Sequence, residues 1–234
     1  MSTSLLDTPS ATSRRDFFKR AGFGLGAVTV ASTLQACDSD DPVDGDAVVL
    51  DFSNDFGVLN YAYALEQLEA GFYATVVANS AFSSTFNADE QAILRDLAAH
   101  EAIHRDFFAF AIADAGGNSA LIPDLTPDFS SINFGSRASV LGTAQVFEDL
   151  GVSAYNGAGK YIDDAGYLLI AGKIVSVEAR HASVIAGLLE DGAIASDGQI
   201  DNNGLDKALE PSAVLAAAGD FIQDTITLRN VPTT

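Results

Sequence analysis

Hydrophobic residues recur every three or four positions in four long stretches of the chain, a spacing typical of amphipathic helices. The spacing predicts helices over about 55–79, 87–116, 136–161 and 164–190. An Asn87-x-x-Glu90 capping box marks the start of the second helix, and Gly116-Gly117 marks its end. A shorter helix is expected to begin at Pro211, because proline suits a first helical turn. The pattern therefore predicts an all-α protein.

The connections between these helices indicate how they are arranged. About seven residues separate the first two helices and two or three separate the last two, so each pair is antiparallel. Between the pairs lie about twenty residues, GGNSALIPDLTPDFSSINFG. Such a segment can extend over about 60 Å, whereas a helix of about 25 residues is roughly 38 Å long. We therefore predict a four-helix bundle with one long crossover between helices 2 and 3, plus a short C-terminal helix.

The first and third helices contain the same two residues at the same spacing. Glu66 precedes Tyr73 by seven positions in LEQLEAGFY. Glu148 precedes Tyr155 by the same number in FEDLGVSAY. Glu69 competes with Glu66 as the functional residue of the first helix, but only Glu66 matches the spacing of the other half, so Glu69 is expected at the surface. Each tyrosine either packs in the core or has a role at the site, as a hydrogen-bond donor or as a redox residue.

The second and fourth helices each contain Glu-x-x-His. The motifs are Glu101-x-x-His104 and Glu178-x-x-His181. Residues three positions apart lie on one helix face, so both can reach the same point in the core. One such motif on an acidic helix is common by chance. Two motifs, each preceded by a helix with Glu-x6-Tyr, indicate an internal repeat that builds one site.

The cost of burying charge limits what this repeat could do. Four inward glutamates would be prohibitively costly to bury without compensation. Two divalent or trivalent cations would neutralise them, with one imidazole for each metal and two bridging glutamates. Ferritin-like di-iron and di-manganese proteins have the same ligand set. In them, two helices each supply one glutamate and the other two each supply Glu-x-x-His.

The chain resembles the ferritin-like superfamily over about residues 53–190. LEQLEAGFYA, VEARHASVIAGLL and LEPSAVLAAAGDFI are similar to segments of exported ferritin-like proteins, a group that includes desiccation-related proteins. The resemblance implies six metal ligands: Glu66, Glu101, His104, Glu148, Glu178 and His181. It also implies that Glu101 and Glu178 bridge the metals, and that Tyr73 and Tyr155 hydrogen-bond a ligand or pass electrons.

Three further residues lie beside the histidine motifs. His100 is one turn before His104 and either supports the site or is an exposed neighbour, and we favour the exposed neighbour. Arg105 and Arg180 each lie next to a motif histidine. We expect both arginines to pair with acidic side chains at the surface.

The first 36 residues resemble a twin-arginine export signal with a lipobox. Arg14 and Arg15 are followed by two phenylalanines, a lysine and an apolar run shorter than the ~20 residues of a membrane span. The run ends in LQAC, which resembles a lipobox and makes Cys37 a candidate for lipidation. The resemblance implies export by the twin-arginine route and a lipoprotein anchored at the periplasmic face of the membrane. Cleavage at another site, with release into the periplasm, is the alternative.

Charge and composition bound the partners and the remaining segments. The net charge of −20 argues against nucleic-acid binding. Acidic residues 37–54 predict a tether, residues 55–190 the bundle, and residues 191–234 a C-terminal extension. A homo-oligomer is compatible with such a bundle, although no apolar stripe singles out an interface.

Together these features predict an exported ferritin-like protein with a buried dinuclear site. Iron is the expected metal and manganese the alternative, while zinc could occupy the site without redox activity. Two iron ions imply a ferroxidase-like or peroxidase-like oxidoreductase acting on O₂ or peroxide. The electron donor would be external, because a chain with one cysteine has no Cys-x-x-Cys pair. The alternative is a non-catalytic, stress- or desiccation-related ferritin-like protein that is structural or binds metal.

Overall fold

The computed structural model describes residues 47–232. The four predicted bundle helices are α1 Asp55–Ala78, α2 Ala88–Gly116, α3 Arg137–Ala158 and α4 Ala165–Leu189. The remaining regular elements are helix α5 Pro211–Ala218, a one-turn helix Phe82–Thr85, strands β1 Val48–Asp51 and β2 Ile226–Arg229, and three short 3₁₀ helices, Asn118–Ala120, Gly159–Tyr161 and Gly219–Phe221. The predicted export signal with Arg14 and Arg15, and the lipobox Cys37, lie outside the described residues. Within residues 47–232, no helix is both long and apolar enough to cross a membrane.

Side chains at the helix starts bind backbone N–H groups that have no partner within the helix. Asn54 and Asp164 accept such hydrogen bonds at the starts of α1 and α4. At the start of α2, Asn87 and Glu90 form the predicted capping box. The helix ends at Gly116, and Gly117 follows with a positive φ of 78°. The capping signals in the sequence are therefore confirmed.

Contacts at the two ends of the bundle give the helix directions. Asp55 at the start of α1 accepts a hydrogen bond from the N–H of Asp164, just before α4. At the other end, Arg137 at the start of α3 donates to Glu90 near the start of α2 and to the carbonyl of Leu188 near the end of α4. Because α2 and α3 start at the same end, the segment between them must run the length of the bundle. The predicted crossover is confirmed.

The crossover, residues 117–136, packs along the outer side of α1. Asn60 accepts a hydrogen bond from the N–H of Ile122. Two turns further along α1, Gln67 accepts one from the N–H of Leu125. This cover explains why 17 of the 24 residues of α1 are buried.

The end of the predicted acidic tether is part of the folded core. Residues 38–46 lie outside the described residues, but Val48–Asp51 forms β1, which pairs in parallel with β2. Val48 and Leu50 lie on one face of the strand, and both are buried. The tether prediction fails here because the strand partner lies at the far end of the sequence.

The C-terminal extension covers the outer side of α3. The N–H of Leu209 donates to the carbonyl of Ser153. The ring of Phe221 meets that of Phe147 edge-on, with 4.8 Å between the ring centroids. Val214 of α5, the predicted C-terminal helix, is fully buried. The extension and the bundle therefore share one hydrophobic core.

Candidate metal centre

The six residues singled out by the sequence lie together in the middle of the bundle. One glutamate comes from α1, one from α3, and a Glu-x-x-His pair from each of α2 and α4. The exposed fractions are 0% for Glu66, Glu101, Glu148 and Glu178, 3% for His181 and 9% for His104. Four helices therefore direct polar side chains into an otherwise apolar core.

The donor atoms of these residues fall into two sets of four. The first set is Glu66, Glu101, His104 and Glu178, and the second is Glu101, Glu148, Glu178 and His181. Within each set, one donor atom from every residue lies within 4.8 Å of the others. Glu101 and Glu178 belong to both sets, so the two sets have two residues in common.

Glu101 and Glu178 each direct one carboxylate oxygen to each set. Glu101 Oε2 is 3.3 Å from His104 Nδ1, and its Oε1 is 2.6 Å from His181 Nδ1. Glu178 Oε1 is 2.8 Å from His104 Nδ1, and its Oε2 is 3.7 Å from His181 Nδ1. Two carboxylates placed in this way could bridge two cations, the role that the resemblance implies for them.

Tyr73 and Tyr155 hold the other two glutamates. The hydroxyl of Tyr73 donates to Glu148 Oε1 at 2.5 Å, and that of Tyr155 donates to Glu66 Oε1. Each tyrosine thus binds the glutamate of the opposite half rather than the one on its own helix. The second oxygen of each glutamate, Oε2, is 3.5 Å from the histidine Nδ1 of its set. Of the two interpretations of the tyrosines, the structure supports hydrogen bonding to the site over simple packing.

Eight buried atoms at this centre are in ion-pair contact with one another, but none has a hydrogen bond of normal geometry within the described part of the chain. They are both oxygens of Glu101 and Glu178, Oε2 of Glu66 and Glu148, and Nδ1 of His104 and His181. Buried polar atoms normally have partners, and buried carboxylates are costly unless paired or bound to metal. Each set offers three carboxylate oxygens and one imidazole nitrogen, which fits a divalent transition-metal ion.

The pKa values at the centre reflect crowded negative charge. Burial, together with neighbouring carboxylates, raises the pKa of Glu66 well above its usual range, and burial raises that of Glu148 to about 8. Burial opposes the ionisation of Glu101, but the two histidines lower its pKa to about 2. Burial would likewise lower the pKa of both histidines, yet the adjacent carboxylates raise both to about 12. Without metal, the centre therefore retains protons that bound cations would displace.

Glu69 is buried, which corrects the expectation of a surface position. Its exposed fraction is 3%. Its Oε1 lies 2.9 Å from the point that a Cβ atom on Gly151 would occupy. Burial and the carboxylates of the centre raise the pKa of Glu69 well above its usual range. Spacing along α1 could not predict this burial, because the space for the side chain comes from a glycine on another helix.

A surface pocket opens beside the two histidines. It has a volume of about 300 Å³, and its lining includes Ile103, Val177 and Arg180. His100 also lines this pocket, and its Nδ1 is 2.9 Å from His181 Nε2. His100 is therefore exposed, as favoured, and at the same time in contact with the centre.

The two arginines beside the motifs behave differently from each other. Arg105 forms an ion pair with Asp106 at 2.7 Å, as expected. Arg180 instead donates a hydrogen bond to Ser176 Oγ at 3.0 Å. The expected pairing of Arg180 with a surface acid is absent from the described residues.

The bundle and its paired carboxylate–histidine sets agree with the comparison with known families. The family profile described as a ferritin-like domain matches residues 54–191, more than half of the chain. The chain therefore belongs to the ferritin-like domain family. The match covers all four bundle helices and every residue of the candidate centre. A comparison with curated proteins found no matching sequence.

Proposed function

We propose that this protein binds two metal ions at the centre. One ion would be held by Glu66, Glu101, His104 and Glu178, and the other by Glu101, Glu148, Glu178 and His181. The observation that carries the proposal is the grouping of eight buried atoms without hydrogen bonds into two sets, with two glutamates common to both. Two divalent ions would balance the four glutamates, which would otherwise be costly to bury.

Iron is the metal that we propose, with manganese as the alternative. Carboxylate and imidazole donors suit both metals. When bound, two iron ions would supply electrons to O₂ or peroxide, which makes the protein an oxidoreductase of the ferroxidase or peroxidase type. An electron donor would have to restore the electrons for the reaction to repeat.

The protein's own residues would keep the ligands in position and exclude water. Tyr73 occupies Oε1 of Glu148, and Tyr155 occupies Oε1 of Glu66. Each of these glutamates therefore has one oxygen left for a metal. Burial of all four glutamates keeps bulk water away, which strengthens every charge interaction at the centre.

A small apolar cavity supports O₂ as the substrate. Its volume is about 20 Å³, and its lining includes Leu65, Phe108 and Tyr155. Tyr155 connects it to the centre through the hydrogen bond with Glu66. A cavity of this size holds one water-sized molecule, and an apolar lining disfavours water. O₂ meets both conditions.

A non-catalytic, stress- or desiccation-related protein is the second candidate. The complete burial of the four glutamates favours it, because metal ions held there would cross-link four helices. Consumption of O₂ or peroxide separates the two candidates. Metal-loaded protein that removes either oxidant over many turnovers, with an added reductant, supports the enzyme. Loaded protein that melts at a higher temperature but consumes neither supports the structural candidate.

Metal analysis tests the binding site itself. Folded protein loaded with Fe²⁺ without oxygen should retain two ions per chain. Glu101→Ala should lose both ions because Glu101 belongs to both sets, whereas His181→Ala should weaken mainly one. Glu210→Gln removes a surface carboxylate paired with Lys160 and should retain both ions. Wild-type protein that binds no metal, with a melting temperature insensitive to Fe²⁺ and Mn²⁺, contradicts the proposal.

We further propose export by the twin-arginine route and anchoring at the periplasmic face of the membrane. The support is the Arg14-Arg15 pair and the lipobox that ends at Cys37. Replacement of both arginines by lysine should leave the protein in the cytoplasm. Cys37→Ser should release it from the membrane fraction, and a variant that stays with the membrane contradicts the lipid anchor.

A further inference from the structure

We propose that Glu69 is a fifth carboxylate of the metal centre, and that it enters the centre through the space left by Gly151. The inference rests on the proposed metal site and adds to it a residue outside both sets of four.

The internal repeat shows that Glu69 has no counterpart in the other half. When Glu66 is matched with Glu148 and Tyr73 with Tyr155, Glu69 falls opposite Gly151. The first half has a long acidic side chain at this position, and the second half has none. Since Glu69 Oε1 lies 2.9 Å from the point that a Cβ on Gly151 would occupy, any side chain there would displace the carboxylate. The two positions are therefore complementary in shape.

No side chain in the described part of the chain stabilises the charge of Glu69. The residue is 3% exposed, and its carboxylate has no hydrogen bond or ion pair among the described residues. The charged groups that act on it most strongly are the carboxylates of Glu178 and Glu101. A buried carboxylate among other carboxylates is unfavourable by itself. Cations at the centre would make the same position favourable.

Glu69 also lies on the side of the centre that has no histidine. It extends from α1 towards α3, whereas His104 and His181 come from α2 and α4. The negative charge of four glutamates equals the positive charge of two divalent ions. A fifth carboxylate would therefore favour a metal pair with a higher total positive charge. Glu69 would therefore stabilise the oxidised form of an iron pair relative to the reduced form.

Glu69→Gln separates this role from a packing role. The substitution keeps the shape and removes the charge. Affinity for Mn²⁺, measured by competition with a chelating dye, should fall by about 10- to 100-fold, the range for changes around metal ligands. The metal-free variant should be at least as stable as the wild type in urea, because one of several crowded carboxylates is gone. A packing role predicts the reverse, with lower metal-free stability and unchanged affinity.

Gly151→Ala tests the same idea without removing the carboxylate. The added methyl group should push the Glu69 carboxylate out of its gap and lower Mn²⁺ affinity in the same direction. Glu90→Gln is the matched control. Glu90 is also a buried glutamate, but it caps α2 and binds Arg137, eleven residues before Glu101 and so about 16 Å away along the helix. Its loss should lower stability and leave Mn²⁺ affinity unchanged.

The outcomes distinguish this inference from the metal site on which it rests. Wild-type protein that binds neither Mn²⁺ nor Fe²⁺ removes the metal site. Wild-type protein that binds two ions, with Glu69→Gln equal to it in affinity, overturns only the role of Glu69. In iron-loaded protein, a reduction potential more positive in Glu69→Gln than in the wild type supports the fifth carboxylate.

Discussion

The layer formed by α1 and α3 is covered on its outer side, whereas the layer formed by α2 and α4 faces solvent. In α1, 17 of 24 residues are buried, and in α3, 13 of 22. The corresponding numbers are 8 of 29 in α2 and 6 of 25 in α4. The crossover covers α1 and the C-terminal extension covers α3. Both layers supply glutamates to the centre, but the tyrosines come only from the covered layer and the histidines only from the exposed one.

This difference shows that what packs over a helix determines its burial more than its own composition does. The segment AGYLLIAGKIV at the start of α4 is strongly apolar. Nevertheless, Leu168 is 46% exposed and Leu169 is 63% exposed. An equally apolar α1 is buried because a loop of its own chain lies over it. The centre thus has firmly packed carboxylates on one side and histidines near a surface pocket on the other.

The histidine–carboxylate contacts between the two layers should have the largest effect on stability. This effect should appear in the metal-free protein as a dependence of the free energy of unfolding on pH. The pKa of each motif histidine rises from 6.5 to about 12 on folding, so the folded state binds more protons than the unfolded state between these values. The free energy of unfolding should therefore decrease as the pH rises above 6.5, and the carboxyl of Glu148, whose pKa burial raises to about 8, acts in the same direction. Glu101, with its pKa lowered from 4.5 to about 2, adds a separate loss of stability as the pH falls below 4.5.

Urea denaturation between pH 6 and 9, with and without bound metal, measures this effect. Metal-loaded protein should lose the dependence in this range, because metal ions replace the protons. Metal-free protein with constant stability over the same range would show that the two layers are not held together by these protonated contacts.

Loss of a large side chain from the covered layer should have the next largest effect. Phe147 of α3 is 1% exposed and packs against Phe72, with 5.1 Å between the ring centroids. Phe147→Ala should lower the free energy of unfolding by about 3–5 kcal/mol, since it leaves a cavity. Leu169→Ala in the exposed layer should change it by no more than about 0.5 kcal/mol. Similar losses in urea denaturation would contradict the contrast between the layers.

Glycine substitutions should have opposite signs in the two layers. At Gly157 of α3, a Cβ atom would lie 1.8 Å from the carbonyl oxygen of Leu209, which is part of the backbone and cannot easily move. Gly157→Ala should therefore destabilise the protein by about 1–3 kcal/mol. At Gly172 of α4, nothing lies within 4 Å of the added atom. Gly172→Ala should stabilise the helix by about 0.5–1 kcal/mol, and thermal melting of both variants checks the two signs.

The tyrosine hydrogen bonds within the covered layer should have the smallest effect. Tyr73→Phe and Tyr155→Phe each remove one hydrogen bond to a buried glutamate, which should cost about 0.5–1.5 kcal/mol in metal-loaded protein. Tyr63→Phe is the control, because the hydroxyl of buried Tyr63 lies 3.3 Å from the exposed carboxylate of Asp124 rather than from a glutamate of the centre. If all three variants unfold at the same urea concentration, the tyrosines do not hold the glutamates of the centre.

Local signals in the sequence predicted the helices and the residues at the centre. The apolar spacing, the capping box at Asn87 and the glycines after α2 are all local, so the helix ends followed within about three residues. The repeat of Glu-x6-Tyr and Glu-x-x-His indicated six residues that the structure brings together. Spacing along a helix is enough for this, because it determines which face a side chain occupies.

Features that depend on distant packing partners could not be predicted in the same way. Spacing predicts that Tyr73 lies on the inner face of α1. It does not predict that the hydroxyl of Tyr73 binds Glu148 of α3. The burial of Glu69 depends on the missing side chain of Gly151. Similarly, Val48–Asp51 becomes a strand only because Ile226–Arg229 lies beside it.

The residues of the candidate centre are divided between the two halves of the chain. A hairpin of α1 and α2 carries Glu66, Glu101 and His104, and lacks only the residue supplied by Glu178. Within the repeat, the counterpart of Glu178 is Glu101 of the hairpin itself. Two identical hairpins could therefore complete each other's metal positions as a dimer. Each hairpin thus supplies a residue that the other lacks, so a metal pair bound at the centre would hold the two halves of the chain together.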